Sequence, residues 1–167
     1  MKIYTASDHT GIELKKYVQT RLVEEGHEVL DCGAKEFNPS DDYPDLIKEA
    51  ARNVSGNEGS IGIIFGGSGQ GEEMVANKFK NVRCALFYGP AIPVAPVDIA
   101  GRTSSDPFEI IRLTRQHNHA NMLSLATRFL TKEDALNAVE IFIKTPYSFE
   151  ERHIRRIEKI REIENEQ

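Results

Sequence analysis

The sequence predicts a three-layer α/β/α sandwich, with a five-stranded parallel sheet between two layers of helices. Three observations lead there. Short apolar runs alternate along the chain with stretches of helical periodicity. The third run, Ser60-Ile-Gly-Ile-Ile-Phe65, is apolar on both faces after its first residue, as a central strand covered on both sides must be. That run then passes through a glycine-dense turn into a helical stretch, the strand–loop–helix unit from which parallel sheets are assembled.

The first strand is Lys2-Ile-Tyr-Thr-Ala6. A helix follows from about Thr10 to Glu25, because Ile12, Leu14, Val18 and Leu22 recur near its period. Gly26 stands where a helix C-cap is expected. His27 to Asp31 reads as the second strand, and Pro44 suits the first turn of the next helix, where a missing N–H costs nothing. After the third strand a helix runs from about Gly71 to Phe79. Arg83 to Tyr88 is the fourth strand and Asn121 to Ala126 the fifth. Thr131 with Asp134, and Ser148 with Glu151, read as capping boxes that open the last two helices. Between the fourth strand and the helix before the fifth, Gly89 to Pro107 carries Pro90, Pro93, Pro96 and Pro107 and has neither period. A connection of that length is a binding loop, an interface element or a solvated insertion.

The 167 residues fit one domain, 1–167, with a proline-rich insertion at 89–107. Apolar residues are 40% and charged residues 28%, the balance of a globular chain. No apolar run approaches the ~18 residues of a membrane span, and no signal pattern opens the chain, so the expectation is a cytoplasmic protein that binds no membrane. A net charge of −5 argues against a nucleic-acid surface, which needs clustered Lys and Arg, but leaves room for a small anionic substrate. Cys32 and Cys84 form neither a disulfide framework nor a metal pair and read as reduced core or strand-end residues.

The strongest chemical signal is Phe65-Gly-Gly-Ser-Gly-Gln-Gly-Glu72 between strand and helix. Its glycines let the backbone approach a ligand and turn N–H groups toward an anion. The spacing Gly67, Gly69, Gly71 does not match a dinucleotide fingerprint, and no Gly-Lys-Ser/Thr closes a Walker loop. A small oxyanion fits better; an unliganded tight turn is the bland alternative. Asp8-His9 follows the first strand at the edge where open α/β sheets bind ligands, although Asp8 could equally cap a helix. His117-Asn118 ends a helix, and Arg152 and Arg156 lie one turn apart on the last, on what is otherwise an ordinary solvated basic face.

In combination these stretches resemble the ribose-5-phosphate isomerase B and galactose-6-phosphate isomerase family. The matching segments are Ser7-Asp-His-Thr-Gly11, Asp42-Tyr-Pro44, Gly66-Gly-Ser-Gly-Gln-Gly-Glu72, Ala76-Asn-Lys78, Arg115-Gln-His-Asn118 and Arg152-His153 with Arg156. They cover nearly the whole chain apart from Gly89–Pro107. The resemblance implies a Rossmann-like sandwich, an aldose–ketose isomerase acting on a phosphorylated sugar, no metal and no organic cofactor. It also implies a homodimer with sites completed across the interface, and leaves open whether dimers pair into tetramers. Asp8, His9 and Tyr43 would position the sugar and help open its ring, with the loop residues Gly67, Gly69, Gln70 and Gly71 against it. His117 would protonate the ring oxygen, Asn118 would hold a hydroxyl, and Arg128, Arg152 and Arg156 would grip the phosphate.

The base requires its own argument. Many members of the family carry cysteine at the first loop position, where this chain has Gly66; a second branch has a carboxylate just after the loop, where this chain has Glu72. A carboxylate can take a proton beside a carbonyl, and Ser68 with the loop N–H groups would stabilise the enediolate. Glu72 and Glu73 could instead be ordinary first-turn acids. Three departures bear on the substrate: the insertion, His119 where an acid is common, and Glu150-Glu151 in place of a glycine pair. Ribose 5-phosphate is the default and a hexose 6-phosphate such as galactose or allose 6-phosphate the alternative. Two other readings stand beside these: a non-catalytic sugar-phosphate binding module, and a metal enzyme using Asp8, His9, His117 and His119.

Overall fold

The computed structural model describes residues 1–166. Strands and helices alternate: β1 (Lys2–Ser7), α1 (Ile12–Glu24), β2 (Glu28–Asp31), α2 (Tyr43–Gly56), β3 (Ile61–Gly66), α3 (Gln70–Ala76), β4 (Cys84–Phe87), α4 (Glu109–Asn118), β5 (Met122–Ala126), α5 (Lys132–Lys144) and α6 (Glu151–Asn165). The five strands form one parallel sheet in the order β2-β1-β3-β5-β4. β3 is buried along its whole length, and its side chains alternate between two cores. Ile63 and Phe65 pack with Leu14, Val18 and Leu22 of α1, Ile111 of α4 and Phe142 of α5. Ile64 faces the other way, onto Ile47, Ala50 and Val54 of α2 and Ala76 of α3. Each such fully buried side chain contributes about 1.5–3 kcal/mol, so the two faces together commit the sheet to its three-layer form. α6 lies outside the layers, against α4.

This arrangement places the site. From β1 the chain leaves toward the α1 face, and from the neighbouring β3 toward the α3 face. The loops after β1 and β3 therefore diverge and leave a crevice at the C-terminal edge of the sheet, the position where such folds bind ligands.

α1 stops in a Schellman motif: Gly26, at φ 84°, donates to Val23, and His27 donates to Leu22. Lys15 of α1 is fully buried and donates Nζ to Asp31 Oδ1 (2.9 Å) and to the Ala34 carbonyl (2.6 Å), tying the helix to the end of β2. Two local expectations need correction. α3 ends at Ala76 rather than near Phe79, because the Asn77 side chain turns to pair with both main-chain groups of Cys84. Ser148 does not open α6 with Glu151; the N-cap is Glu150, and the Ser148 hydroxyl is engaged by the buried ring of His153 at 2.7 Å. Thr131 caps α5 as expected, Asp134 N donating to its Oγ1 at 3.0 Å, but the Asp134 carboxylate accepts from that hydroxyl at 2.8 Å rather than from Thr131 N as a full box requires.

The stretch Gly89–Pro107 contains no helix or strand, yet it is tied at several points. Ala91 N donates to Pro107 O at 2.8 Å, bringing its ends together, and Val97 N to Arg102 O at 2.7 Å. Asp98 accepts from the main-chain N–H groups of Ala100 and Arg102, and Arg102 reaches on to the buried carboxylate of Glu109 at 2.6 Å.

Candidate active site

At the crevice, Gly69 enters α3 with φ 72°, a left-handed conformation that favours glycine, and its carbonyl accepts from Ser124 Oγ at 2.7 Å. That turn leaves Gly67 and Ser68 half-buried and Gln70 exposed at the sheet edge, with Ser68 Oγ 3.5 Å from Gln70 N. The glycines make room for particular neighbours. A Cβ on Gly67 would lie 3.2 Å from Cζ of Arg128, and one on Gly71 2.5 Å from Cζ of Tyr43. At Gly66 the occupant is Glu72, whose carboxylate fills the place a side chain there would take. Glu72 is 4% exposed, and burial, then the nearby Asp8, raise its pKa above the ordinary carboxylate range. Its burial sets it apart from a solvated first-turn acid.

Asp8 does not cap α1; its Oδ1 accepts from Thr10 N at 2.9 Å and Thr10 Oγ1 at 2.6 Å, while Gly11 is the N-cap. His9 is held by Asp41: its main-chain N–H donates to Asp41 Oδ2 at 2.9 Å and its Nδ1 meets Oδ1. That bond raises the His9 pKa. Asp41 is the residue that motif reading passed over, because its role depends on a contact 32 positions away rather than on local spacing.

His117 and Arg152 stand elsewhere, while Asn118 lines a groove that also holds Glu73, the neighbour of Glu72. Helices return antiparallel to the strands, so α4 ends toward the edge of the sheet where β5 begins. His117 and Arg152 line a separate cavity of about 320 Å³ together with Asp98, Arg102 and Glu150. The His117 ring packs 4.3 Å from that of His153, and burial followed by Arg152 lowers its pKa. Arg152 Nε donates to Glu150 at 2.7 Å, so the acid that replaces glycine occupies one of the expected phosphate ligands. Arg156 is exposed one turn further on. Within one chain, then, the candidates fall into two groups, Asp8, His9, Tyr43, the loop, Glu72 and Arg128 in the first and His117, Arg152 and Arg156 in the second, with Asn118 in the groove beside α3.

The four-residue metal set does not assemble. His119, at φ 48°, ends α4 and stacks on Tyr147 at 4.5 Å, away from His117. Among the described residues the group whose ligand atoms all lie within 4.8 Å is Asp8, His9 and Asp41, and two of these already bond each other. Neither cysteine is poised as a nucleophile, since burial raises the pKa of both Cys32 and Cys84. No helix among the described residues is long and apolar enough to cross a membrane.

A family model described as Ribose/Galactose Isomerase matches residues 3–92 and 103–160, leaving unmatched the middle of the proline-rich stretch. A ribose-5-phosphate isomerase B of Mycobacterium leprae is 37% identical over 164 residues, covering 98% of this chain and 90% of its own. The structure of ribose-5-phosphate isomerase B from Mycoplasma genitalium with bound ribulose-5-phosphate superposes with a TM-score of 0.85 at 35% identity, covering 99% and 97% of the two chains. That of the Clostridium thermocellum enzyme gives 0.83 at 33%, covering 99% of each.

Proposed function

The chain belongs to the ribose/galactose isomerase family, and from that premise we propose that it interconverts ribose 5-phosphate and ribulose 5-phosphate through an enediolate. The observation that carries the proposal is the buried Glu72 carboxylate lodged in the space that Gly66 leaves. In the open-chain aldose, Glu72 removes the proton from C2 and returns it to C1. Ser68 Oγ and the loop N–H groups hold the negative charge that develops on oxygen, where preorganised donors contribute most. Asp8, His9 and Tyr43 line the same edge and orient the hydroxyls. Ring opening falls to His117, whose pKa burial and Arg152 lower in the free chain. A phosphate dianion at Arg152 and Arg156 offsets that positive charge and raises the imidazole toward the acid form the ring oxygen needs. Asn118 holds a hydroxyl, and Arg128 adds a third guanidinium to the phosphate. No step requires a metal or organic cofactor.

Within one chain His117 and Arg152 line a cavity separate from the Glu72 crevice, and this supports a homodimer in which each site draws on both subunits. A groove with an apolar floor of Ala85, Leu86, Ile110 and Leu113, and with Glu73 and Asn118 in its wall, opens between α3 and α4; a second copy would cover this surface. The whole of 1–167 acts in this reading as one domain.

The direct test is incubation with ribose 5-phosphate in deuterium oxide, following ketose formation and deuterium at C1 by NMR. Ketose with solvent deuterium at C1 supports the enediolate route; sugar phosphate bound but unchanged would reduce the chain to a binding module. The insertion supplies Asp98 and Arg102 to the wall of the His117 cavity and is placed to read substrate length. Replacing 93–102 by a short linker is expected to shift the ratio of kcat/KM between ribose 5-phosphate and allose 6-phosphate at least about tenfold, ~1.4 kcal/mol. A shortened enzyme of unchanged oligomeric state and unchanged ratio would sink that role.

A further inference from the structure

At the end of the sheet remote from Glu72, before β3, β4 and β5 begin, a second polar cavity of about 590 Å³ opens. Its size lies within the ~300–1,000 Å³ of small-molecule sites. Arg83, Arg115, Arg161 and His119 line it, and Met1 contributes from the rim; Glu58 is the single acid among the described lining residues. In a chain of net charge −5 this is a marked local excess of positive charge.

Two of the guanidinium groups are half committed. Arg83 donates Nε to the carbonyls of Asn118 (3.1 Å) and His119 (3.0 Å), and Nη1 to Asn81. Arg115 donates Nε to Thr145 O at 3.2 Å and Nη1 to Ala120 O. These bonds fix the planes of both groups and leave Nη2 of each without a protein partner among the described residues. Arg161 sits exposed at the mouth. None of the three forms an ion pair with a carboxylate among the described residues. Desolvation lowers the pKa of Arg83 and Arg115, and the neighbouring arginines lower both further; His119 is lowered by burial and by all three. Glu164 raises the Arg83 pKa in part, but no carboxylate among the described residues pairs with the three guanidinium groups, so they repel one another and a bound anion relieves that repulsion. Fixed guanidinium forks suit phosphate oxygens in particular.

We propose that this cavity is a second anion site, which binds a phosphate dianion, free or carried on a small phosphomonoester, between Arg83, Arg115 and Arg161. It does not depend on the assignment of the isomerase reaction. Its position ties it to the reaction site of a dimer, since Arg83 holds the last carbonyls of α4, the helix that ends on His117 and Asn118.

The Nε–H groups of Arg83 and Arg115 are hydrogen-bonded and so are suited to NMR detection. The full-length protein, ¹⁵N-labelled, is titrated with inorganic phosphate and, separately, with glycerol 3-phosphate. Both Nε–H signals are expected to shift along one saturable curve. The ligand giving the lower Kd identifies whether the free ion or the monoester is the natural form. Arg161→Glu should weaken that curve at least about tenfold, while leaving turnover without added phosphate, and competitive inhibition by phosphate at the catalytic arginines, unchanged. Phosphate that inhibits turnover without moving the Arg83 and Arg115 signals, or a curve identical in Arg161→Glu, would overturn the proposal.

Discussion

Replacing Glu72 by glutamine is expected to lower kcat about 10³-fold, within the ~10²–10⁴ that a positioned acid–base group contributes. KM should change little, because the amide keeps the shape of the carboxylate and the phosphate contacts lie elsewhere. The fold should tolerate the change well. Burial raises the Glu72 pKa, so the ionised carboxylate is less favourable in the folded chain than in the unfolded one. Its charge therefore opposes folding once the pH rises above the unfolded carboxylate pKa, and this cost is absent when the group is protonated. The amide of Glu72→Gln carries no such charge, and Tm at neutral pH should not fall. The same shift fixes the sign of the pH profile: wild-type kcat/KM falls as acid protonates Glu72, with its midpoint above that of an exposed glutamate. A Glu72→Gln enzyme with near-normal kcat would move the base to another residue.

The second large effect belongs to a residue with no functional group. Gly66→Ala is expected to reduce kcat about 10²-fold, the order of loss that follows when a reacting group is displaced by about 1 Å. A Cβ at position 66 lands on the Glu72 carboxylate. The backbone has little freedom to yield, because Gly66 is paired with Ala126 in the sheet and its carbonyl accepts from Thr127 N at 2.9 Å. The carboxylate must move instead. Stability should drop by about 1–3 kcal/mol, as overpacking usually costs, measured as a shift in urea midpoint. A Gly66→Ala enzyme that keeps wild-type kcat would show that the carboxylate works from another position.

The order of strands and helices was legible because each carries its own period: Ile63 and Phe65 against Ile64 in β3, Leu14, Val18 and Leu22 in α1. Short-range features were legible where one residue settles them, as Gly26 does for the end of α1 and Thr131 for the start of α5. They were misread where a distant partner decides. Ser148 looks like a cap until the ring of His153 is seen to use its hydroxyl, and Asn77 looks helical until it is seen to hold Cys84. The site shows the same division. The resemblance named Glu72 and Gly66 separately, but not that one fills the space left by the other. Asp41 carries no motif of its own and is found only through its hold on His9.

The separation of the Glu72 crevice from the His117 cavity has a consequence for mixtures. In the dimer proposed above, a site joins the crevice of one subunit to the α4 end of its partner, and the two-fold axis repeats this in the second site. Pair a chain lacking the Glu72 carboxylate with a chain lacking the His117 imidazole. One of the two sites then collects both lesions, and the other collects neither. Two inert preparations, unfolded together and refolded as a mixture, would thus regenerate intact sites, about a quarter of all sites if equal amounts pair at random. In that proposed dimer catalysis is a property of the pair, and a defect in one copy would be hidden by its neighbour.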